Sequence, residues 1–271
     1  MRYAKRFVFT LALFFLVLAL ACARAPITGR SQLMLVPQSQ LLAMSDDQFE
    51  TFLSEHEVVK GTDNARMVEE VGRDIARAVE EYFRQNGMFD ELDSYKWEFA
   101  LVAEDQINAF AMPGGKVVVY EGIMPVAKTE AGLATVMAHE VAHVVARHGA
   151  ERMSHFLLTQ LGGLALSVAL SEQPQQTQAL WMTAYGVGAQ VGYLLPYSRL
   201  QEKEADKLGL VFMAMAGYDP HAAVDLWQRM AAQKEDGGPP VFLSTHPTDQ
   251  QRIEYIYDYI PEAMKYYHPK E

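Results

Sequence analysis

The hydrophobic pattern changes from helical to strand-like along the first half of the chain. Apolar residues recur at spacings of three and four between residues 46 and 84, as on one face of an amphipathic helix. Apolar and polar residues alternate from 95 to 102, which is typical of a half-buried strand. Residues 110–112 and 116–120 flank a Pro-Gly-Gly sequence and are predicted to form a hairpin.

The second half of the chain is predicted to be mainly helical. A helix is expected over residues 130–147, and two apolar segments follow at 156–170 and 179–195. Residues 153–198 carry a single charged side chain, Glu172. Both apolar segments are short for a hydrocarbon core of about 30 Å. We therefore predict a buried helical hairpin packed against the helix at 130–147, with peripheral lipid contact as the alternative.

These patterns predict an α+β fold, mainly helical, with a small antiparallel sheet. The composition, 50% hydrophobic and 21% charged, is that of a globular protein. The formal net charge of -11 argues against nucleic acid as a partner, because binding phosphates requires clustered cations. One cysteine excludes an internal disulfide framework, so eight histidines remain for metal or acid-base chemistry.

The N-terminus has the pattern of a secretory signal. Three basic residues among the first six precede an uncharged run at 7–21, which is too short to span a bilayer. The run ends at Cys22 and resembles the lipobox of bacterial lipoproteins, although Ala19 stands where a leucine is usual. This resemblance implies lipidation of Cys22 and a membrane anchor through it. The alternatives are ordinary signal cleavage nearby and an uncleaved anchor.

The strongest chemical motif is His-Glu-x-x-His at 139–143. Positions i and i+4 share one face of a helix, so the imidazoles of His139 and His143 can reach one tetrahedral ion. Glu140 lies beside them, where it can hold a water without binding the metal. The surrounding valines and methionine bury this helix. Two histidines at this spacing around a glutamate therefore predict a metal site.

A catalytic zinc needs a third protein ligand. The metzincin pattern is excluded because Ala146 and Gly149 stand where it requires glycine and histidine. Glu202 and Asp206 are four residues apart on a predicted helix, so one can bind metal while the other orients a histidine. Glu204 belongs to a solvated face.

Together these motifs resemble the zinc metallopeptidase family of the CAAX prenyl protease, HtpX and the Oma-type enzymes, and most closely its short periplasmic LoiP/BepA-like lipoprotein members. The matching segments are His-Glu-x-x-His with Arg-His-Gly-Ala-Glu-Arg at 139–152, Ser-Arg-x-x-Glu-x-Glu-Ala-Asp at 198–206, Pro-Ile-Thr-Gly-Arg at 26–30, Asn-Ala-Phe with Pro-Gly-Gly at 108–115, and Ser-Thr-His-Pro at 244–247.

The resemblance implies a zincin-type (gluzincin) domain that binds one Zn²⁺ per chain. Its metal ligands would be His139, His143 and Glu202, with Asp206 contacting a histidine from behind. The family's substrates imply an enzyme that acts on misfolded or misassembled proteins of the cell envelope. The expected location is the periplasmic face of a bacterial envelope, as an outer-membrane lipoprotein.

The expected mechanism is hydrolysis by a zinc-activated water, with Glu140 as general base. His246, Arg252 and Tyr197 are candidate donors to the oxyanion. In some relatives a Ser-Thr-His-Pro loop closes over the metal, so His246 can alternatively occupy the fourth position and hold the enzyme latent. Before the Pro-Gly-Gly turn, an edge strand is predicted to pair with extended substrate. That strand comprises Asn108, Ala109, Phe110, Ala111 and Met112.

We expect a signal at 1–21, a tether at 22–45 and a zinc metallopeptidase domain at 46–271. Two other functions stay open at this point. One is an envelope chaperone or assembly factor that uses the peptidase fold mainly for binding, against which an intact Glu140 argues. The other is a zinc hydrolase with a non-peptide substrate. The oligomeric state is not predicted.

Overall fold

A computed structural model describes residues 22–233, 240–247 and 250–270. The predicted signal at 1–21 lies outside them, and the lipidation of Cys22 and the boundary between tether and domain stay predictions. Contacts divide the chain into two units. The first comprises Met1–Leu41 and Arg147–Arg199, and the second comprises Leu42–Ala146 and Leu200–Glu271.

The elements follow one another along the chain as strands and helices of very different length. They are β1 (Cys22–Arg24), β2 (Ser31–Leu33), α1 (Gln38–Glu55), α2 (Asp63–Gln85), α3 (Phe89–Leu92), β3 (Glu98–Val102), β4 (Ala109–Met112), β5 (Lys116–Tyr120), a 3₁₀ turn (Glu121–Ile123), α4 (Met124–Ala127), α5 (Glu130–Val145), α6 (His148–Ala169), α7 (Gln175–Ala189), a π-helical turn (Gln190–Leu194), α8 (Leu195–Met215), α9 (Ala222–Ala231), α10 (Val241–Thr245), α11 (Gln250–Ala263) and a 3₁₀ turn (Met264–Tyr266). The mainly helical α+β class is confirmed.

The continuous helical pattern at 46–84 is split in the structure into α1 and α2. Gly61 has φ +74°, and Thr62 caps α2 by accepting a hydrogen bond from the Ala65 N–H. The break occurs because the intervening chain pairs with the sheet, where the Val59 N–H donates to the Leu101 carbonyl. The three- and four-residue spacing of apolar side chains therefore extends across residues 56–62, although the backbone there is not helical.

The three-stranded sheet has the order β3-β5-β4. The hairpin of β4 and β5 is antiparallel, with Met112 opposite Lys116, and it confirms the predicted turn. The pairing of β3 with β5 is parallel, so the prediction of a purely antiparallel sheet is wrong in this detail. An alternating pattern specifies which side chains are buried, but it does not specify which neighbour a strand pairs with. The order leaves β4 at an edge.

Helices cover both faces of this sheet within the second unit. Phe49 of α1 packs with Ala100, Val102 and Val118 on one face. On the other side α2 approaches β3 closely, because a Cβ at Gly72 would lie 2.4 Å from the Phe99 ring. Helix α5 also packs against β4 and α2, and most of its residues are buried. The core thus encloses the helix that carries the predicted metal motif.

The first unit contains the small β1–β2 ladder and the helical hairpin of α6 and α7. Arg30 forms a bidentate ion pair with Glu151 at 2.7 Å, which links the ladder to the first turn of α6. The expectation of a buried hairpin is wrong, since Leu164 and Leu180 are more than 60% exposed. A low density of charge favours burial, but it does not supply a covering surface. Among the described residues, no helix is long and apolar enough to cross a membrane.

Candidate metal centre

Helix α5 places two imidazoles and a carboxylate at one spot. Thr129 caps the helix by accepting from the Gly132 N–H, and the helix then continues through the motif without a break. One turn separates His139 from His143, and their Nε2 atoms lie 3.1 Å apart. Both rings and Glu140 are buried. The spacing of four residues therefore converges the side chains as predicted.

Helix α8 brings Glu202 to the two histidines. Its carboxylate oxygens lie 3.3 Å from His139 Nε2 and 3.2 Å from His143 Nε2. The two helices approach closely because Gly209 has no side chain, and a Cβ there would lie 3.1 Å from the His139 backbone. Glu204 does not belong to the group that could hold a metal. Glu202 is therefore the residue of α8 that could bind a metal together with the two histidines.

His246 follows α10 and completes the cluster. Its Nδ1 atom lies 3.1 Å from His139 Nε2 and 3.1 Å from Glu202 Oε2, and its Nε2 lies 3.4 Å from Glu140 Oε1. The ring stacks on Phe242, with centroids 4.8 Å apart. Four residues each offer one potential ligand atom, and these four atoms lie within 4.8 Å of one another. The residues are His139, His143, Glu202 and His246.

Asp206 and Arg252 support the cluster from behind. Asp206 Oδ1 lies 3.1 Å from His139 Nδ1. The Arg252 guanidinium donates to both Asp206 oxygens at 2.8 and 2.9 Å, and also to the carbonyls of His246 and Pro247. It stacks 3.9 Å above the Trp227 ring. One arginine therefore joins the carboxylate behind His139 to the loop that carries His246.

Opposing effects set the charges in this site. Burial lowers the pKa of His139, but contacts with Asp206 and Glu202 outweigh it and raise that pKa to about 9. Burial raises the pKa of Glu202, but the neighbouring histidines hold it well below its usual range. Asp206 likewise has a lowered pKa, because the adjacent Arg252 charge outweighs burial. Both carboxylates are therefore ionised.

These residues fit a zinc ion. Two imidazole nitrogens and a carboxylate oxygen form the ligand set of many catalytic zinc sites, which leave one position open. The two Nε2 atoms and the Glu202 oxygens lie 3.1–3.3 Å apart, an arrangement that one shared cation would stabilise. Glu140 Oε1 is buried without a hydrogen-bond partner among the described residues, which leaves it available to a water or a substrate.

Sequence reasoning missed three residues that build the site. Gly209 permits the close approach of α8 to α5. The Trp227 ring stacks against the Arg252 guanidinium, and the Phe242 ring stacks against the His246 ring. No local motif marks them, because each acts through a neighbour distant in sequence. Tyr197, a predicted oxyanion candidate, belongs to the first unit, where its ring lies 4.4 Å from His155.

Comparison with known families decides the relationship. The sequence profile of peptidase family M48 matches residues 69–260, which include all four members of the metal cluster. The chain belongs to peptidase family M48. Metallopeptidases of M48 use zinc, in agreement with the chemistry of the cluster.

Individual relatives match over most of the chain but only part of their own length. The mitochondrial metalloendopeptidase OMA1 of Schizosaccharomyces pombe is 40% identical over 191 residues, covering 70% of this chain and 53% of the relative. The human OMA1 metalloendopeptidase is 32% identical over 251 residues, covering 89% of this chain and 46% of the relative. A beta-barrel assembly-enhancing protease from Yersinia pestis is 35% identical over 162 residues, covering 58% of this chain and 33% of the relative. The chain spans about half the length or less of these M48 relatives.

The predicted location is corrected by these comparisons. A bacterial envelope, with the protein at its periplasmic face as an outer-membrane lipoprotein, was expected from the N-terminus and the resemblance. The mitochondrial M48 relative from fission yeast matches at higher identity and over more of this chain than the Yersinia pestis protein does. The short periplasmic members are therefore no guide to where this protein resides.

Proposed function

We propose that this protein is a zinc-dependent endopeptidase that cleaves misfolded or misassembled proteins. The observation that carries the proposal is the buried convergence of His139, His143 and Glu202 beside Glu140, in a chain of family M48. Zinc, when bound there, acts as a Lewis acid that polarises a peptide carbonyl and lowers the pKa of water. The rest of the reaction is assigned to side chains of this protein.

Glu140 is the general base in this proposal. Its carboxylate is buried beside the histidines, and its Oε1 atom has no hydrogen-bond partner among the described residues. It accepts the proton of the attacking water and later donates that proton to the leaving amine. Asp206 and Arg252 position His139 and the loop after α10. The candidate hydrogen-bond donors to the oxyanion are Arg252 and His246.

The edge strand β4 is the proposed platform for substrate. The Tyr120 N–H donates to the Asn108 carbonyl, so the alternate residues Ala109 and Ala111 direct their main-chain groups away from β5. In the part of the chain that the structure describes, β4 pairs with β5 alone. An extended peptide can add to this edge, whereas a folded protein cannot. This restriction favours unfolded segments as substrates.

His246 is proposed to hold the resting enzyme latent. Its ring lies within the group of potential ligand atoms, where it closes the position that a substrate carbonyl needs. The Phe242 N–H donates to the Ile107 carbonyl at 3.1 Å, two residues before Ala109. A peptide that pairs with β4 and extends to Ile107 competes for that carbonyl. Substrate binding and release of the His246 loop are thereby coupled.

Digestion of unfolded casein by the full chain, with and without a chelator, tests the proposal. We expect cleavage that the chelator stops and zinc restores, and that Glu140→Gln lacks. Casein binding without cleavage by the wild-type protein would instead support a chaperone. Hydrolysis of small esters without cleavage of casein would support a zinc hydrolase with a non-peptide substrate.

A further inference from the structure

The hairpin of α6 and α7 exposes an unusual amount of apolar surface. We define the apolar hairpin as residues 156–195. Among the described residues, most of the large hydrophobic side chains that are exposed belong to it: Phe156, Leu157, Leu161, Leu164, Val168, Leu180, Trp181, Val187, Val191 and Leu195. A helix with so much exposed apolar surface needs a covering surface.

The two helices of the hairpin cover only the sides that face each other. The Tyr185 hydroxyl donates to the Thr159 carbonyl, and a Cβ at Gly162 would lie 2.3 Å from that hydroxyl oxygen. Leu157, Leu161 and Leu164 lie about 180° around α6 from this contact, at spacings of four and three. Each helix therefore keeps an exposed apolar stripe that its partner helix does not reach.

Charged groups occur only at the two ends of the hairpin, and the polar side chains between them, such as Gln160 and Thr183, are uncharged. Its base is flanked by the exposed arginines Arg152 and Arg199. Its tip carries Glu172 and four glutamines between 173 and 178, in the turn and at the start of α7. Between the ends there is no charged residue. Neither arm is apolar over the length needed to cross a bilayer.

We propose that the apolar hairpin docks on a lipid bilayer and lies along its surface. In this orientation the arginine base and the polar tip both stay at the level of the headgroups, while the exposed leucines and valines between them enter the acyl region. A protein partner fits less well, because protein interfaces surround their apolar centre with a polar rim.

The position of the N-terminus supports lipid as the partner. The uncharged run at 7–21 precedes Cys22, where the chain enters the same unit as the hairpin. Arg30 and Glu151 connect the β1–β2 ladder to the first turn of α6, and the Leu35 N–H donates to Ser154 Oγ of the same helix. The described part of the hairpin's unit, which begins at Cys22, thus follows directly in the sequence on an uncharged apolar run.

Trp181 provides a local probe, because it lies in the hairpin and is 55% exposed. The full chain is mixed with phosphatidylcholine vesicles whose acyl chains either carry bromine or do not. We expect brominated chains to quench Trp181 fluorescence, in high salt as in low salt, because the interaction is apolar. Trp181→Phe isolates this signal from the other two tryptophans.

A double variant, Leu164→Glu with Leu180→Glu, places charge on both stripes. It should lower the quenched fraction of the Trp181 signal by about half or more, since charge opposes entry into the acyl region. Phe89→Glu is the matched control, because Phe89 is equally exposed in the other unit, and it should leave the quenching unchanged. These readouts are local, so they do not depend on whether residues 1–21 also bind the vesicle.

Three results would overturn the proposal. The first is unquenched Trp181 in wild-type protein that is bound to vesicles. The second is equal quenching in the double variant. The third is a lipid-free dimer that the double variant converts to a monomer while Trp181 stays unquenched. That outcome would assign the hairpin to contact with a second copy of the chain.

Discussion

Helix α5 and the apolar hairpin are both rich in apolar residues and poor in charge, yet their environments are opposite. Thirteen of the sixteen residues of α5 are buried, including His139, Glu140 and His143, whereas no residue of α7 is buried. Apolar composition alone therefore does not decide burial. Buried polar groups in α5 are tolerated because α8, α10 and α11 bring partners to them. The apolar groups of the hairpin stay exposed among the described residues.

Glu202→Ala is expected to have the largest effect on the buried cluster around α5. Removing the carboxylate deletes one zinc ligand and leaves the histidines facing each other, so we expect loss of bound zinc, loss of proteolysis and a lower melting temperature. Metal analysis and thermal unfolding measure these effects. Glu204→Ala, two residues along the same helix, should leave zinc content and proteolysis unchanged. Equal metal loss in both variants would mean that the ligand is wrongly assigned.

Glu140→Gln separates catalysis from metal binding in the same buried cluster. Because Glu140 is assigned as general base and not as ligand, zinc content should stay unchanged while kcat falls by about 10²–10⁴. Casein cleavage and metal analysis on the same sample provide the measurement. Wild-type turnover in the variant would exclude Glu140 as the base.

A matched pair of leucines compares the stability contributions of the two regions directly. Leu133 in α5 is fully buried and Leu161 in α6 is 57% exposed. Leu133→Ala should lower the free energy of unfolding by about 2–5 kcal/mol, because it leaves a cavity. Leu161→Ala in lipid-free solution should change it by about 0.5 kcal/mol or less. Denaturant titrations of both variants test this, and a similar loss in both would show that the hairpin is covered.

The smallest expected change is at His246. If its ring blocks the substrate position, His246→Ala should raise basal casein cleavage several-fold without lowering zinc content. If it instead donates to the oxyanion, kcat should fall by about 10²–10³. The two roles thus predict opposite signs, and initial rates decide between them. Unchanged rates would remove His246 from the mechanism.

Much of the candidate site was predictable, because its main residues lie on regular helices. The spacing of His139 and His143 places them on one face whatever the rest of the fold does. The choice of Glu202 over Asp206 as the metal ligand needed either a resemblance or the structure. Gly209, Trp227 and Phe242 were not predictable, since each contributes through close packing with residues far away in the chain.

The sequence by itself determined the helical class, the β4–β5 hairpin and the convergence of the zinc-binding motif, because these depend on contacts between residues close in the chain. Only the tertiary structure decided that α1 and α2 are separate helices, that β3 runs parallel to β5, that His246 reaches the cluster, and that α6 and α7 expose their apolar sides. Each of these depends on which distant surface lies opposite. A hydrophobic pattern shows that a side chain favours an apolar neighbour, but it does not identify that neighbour.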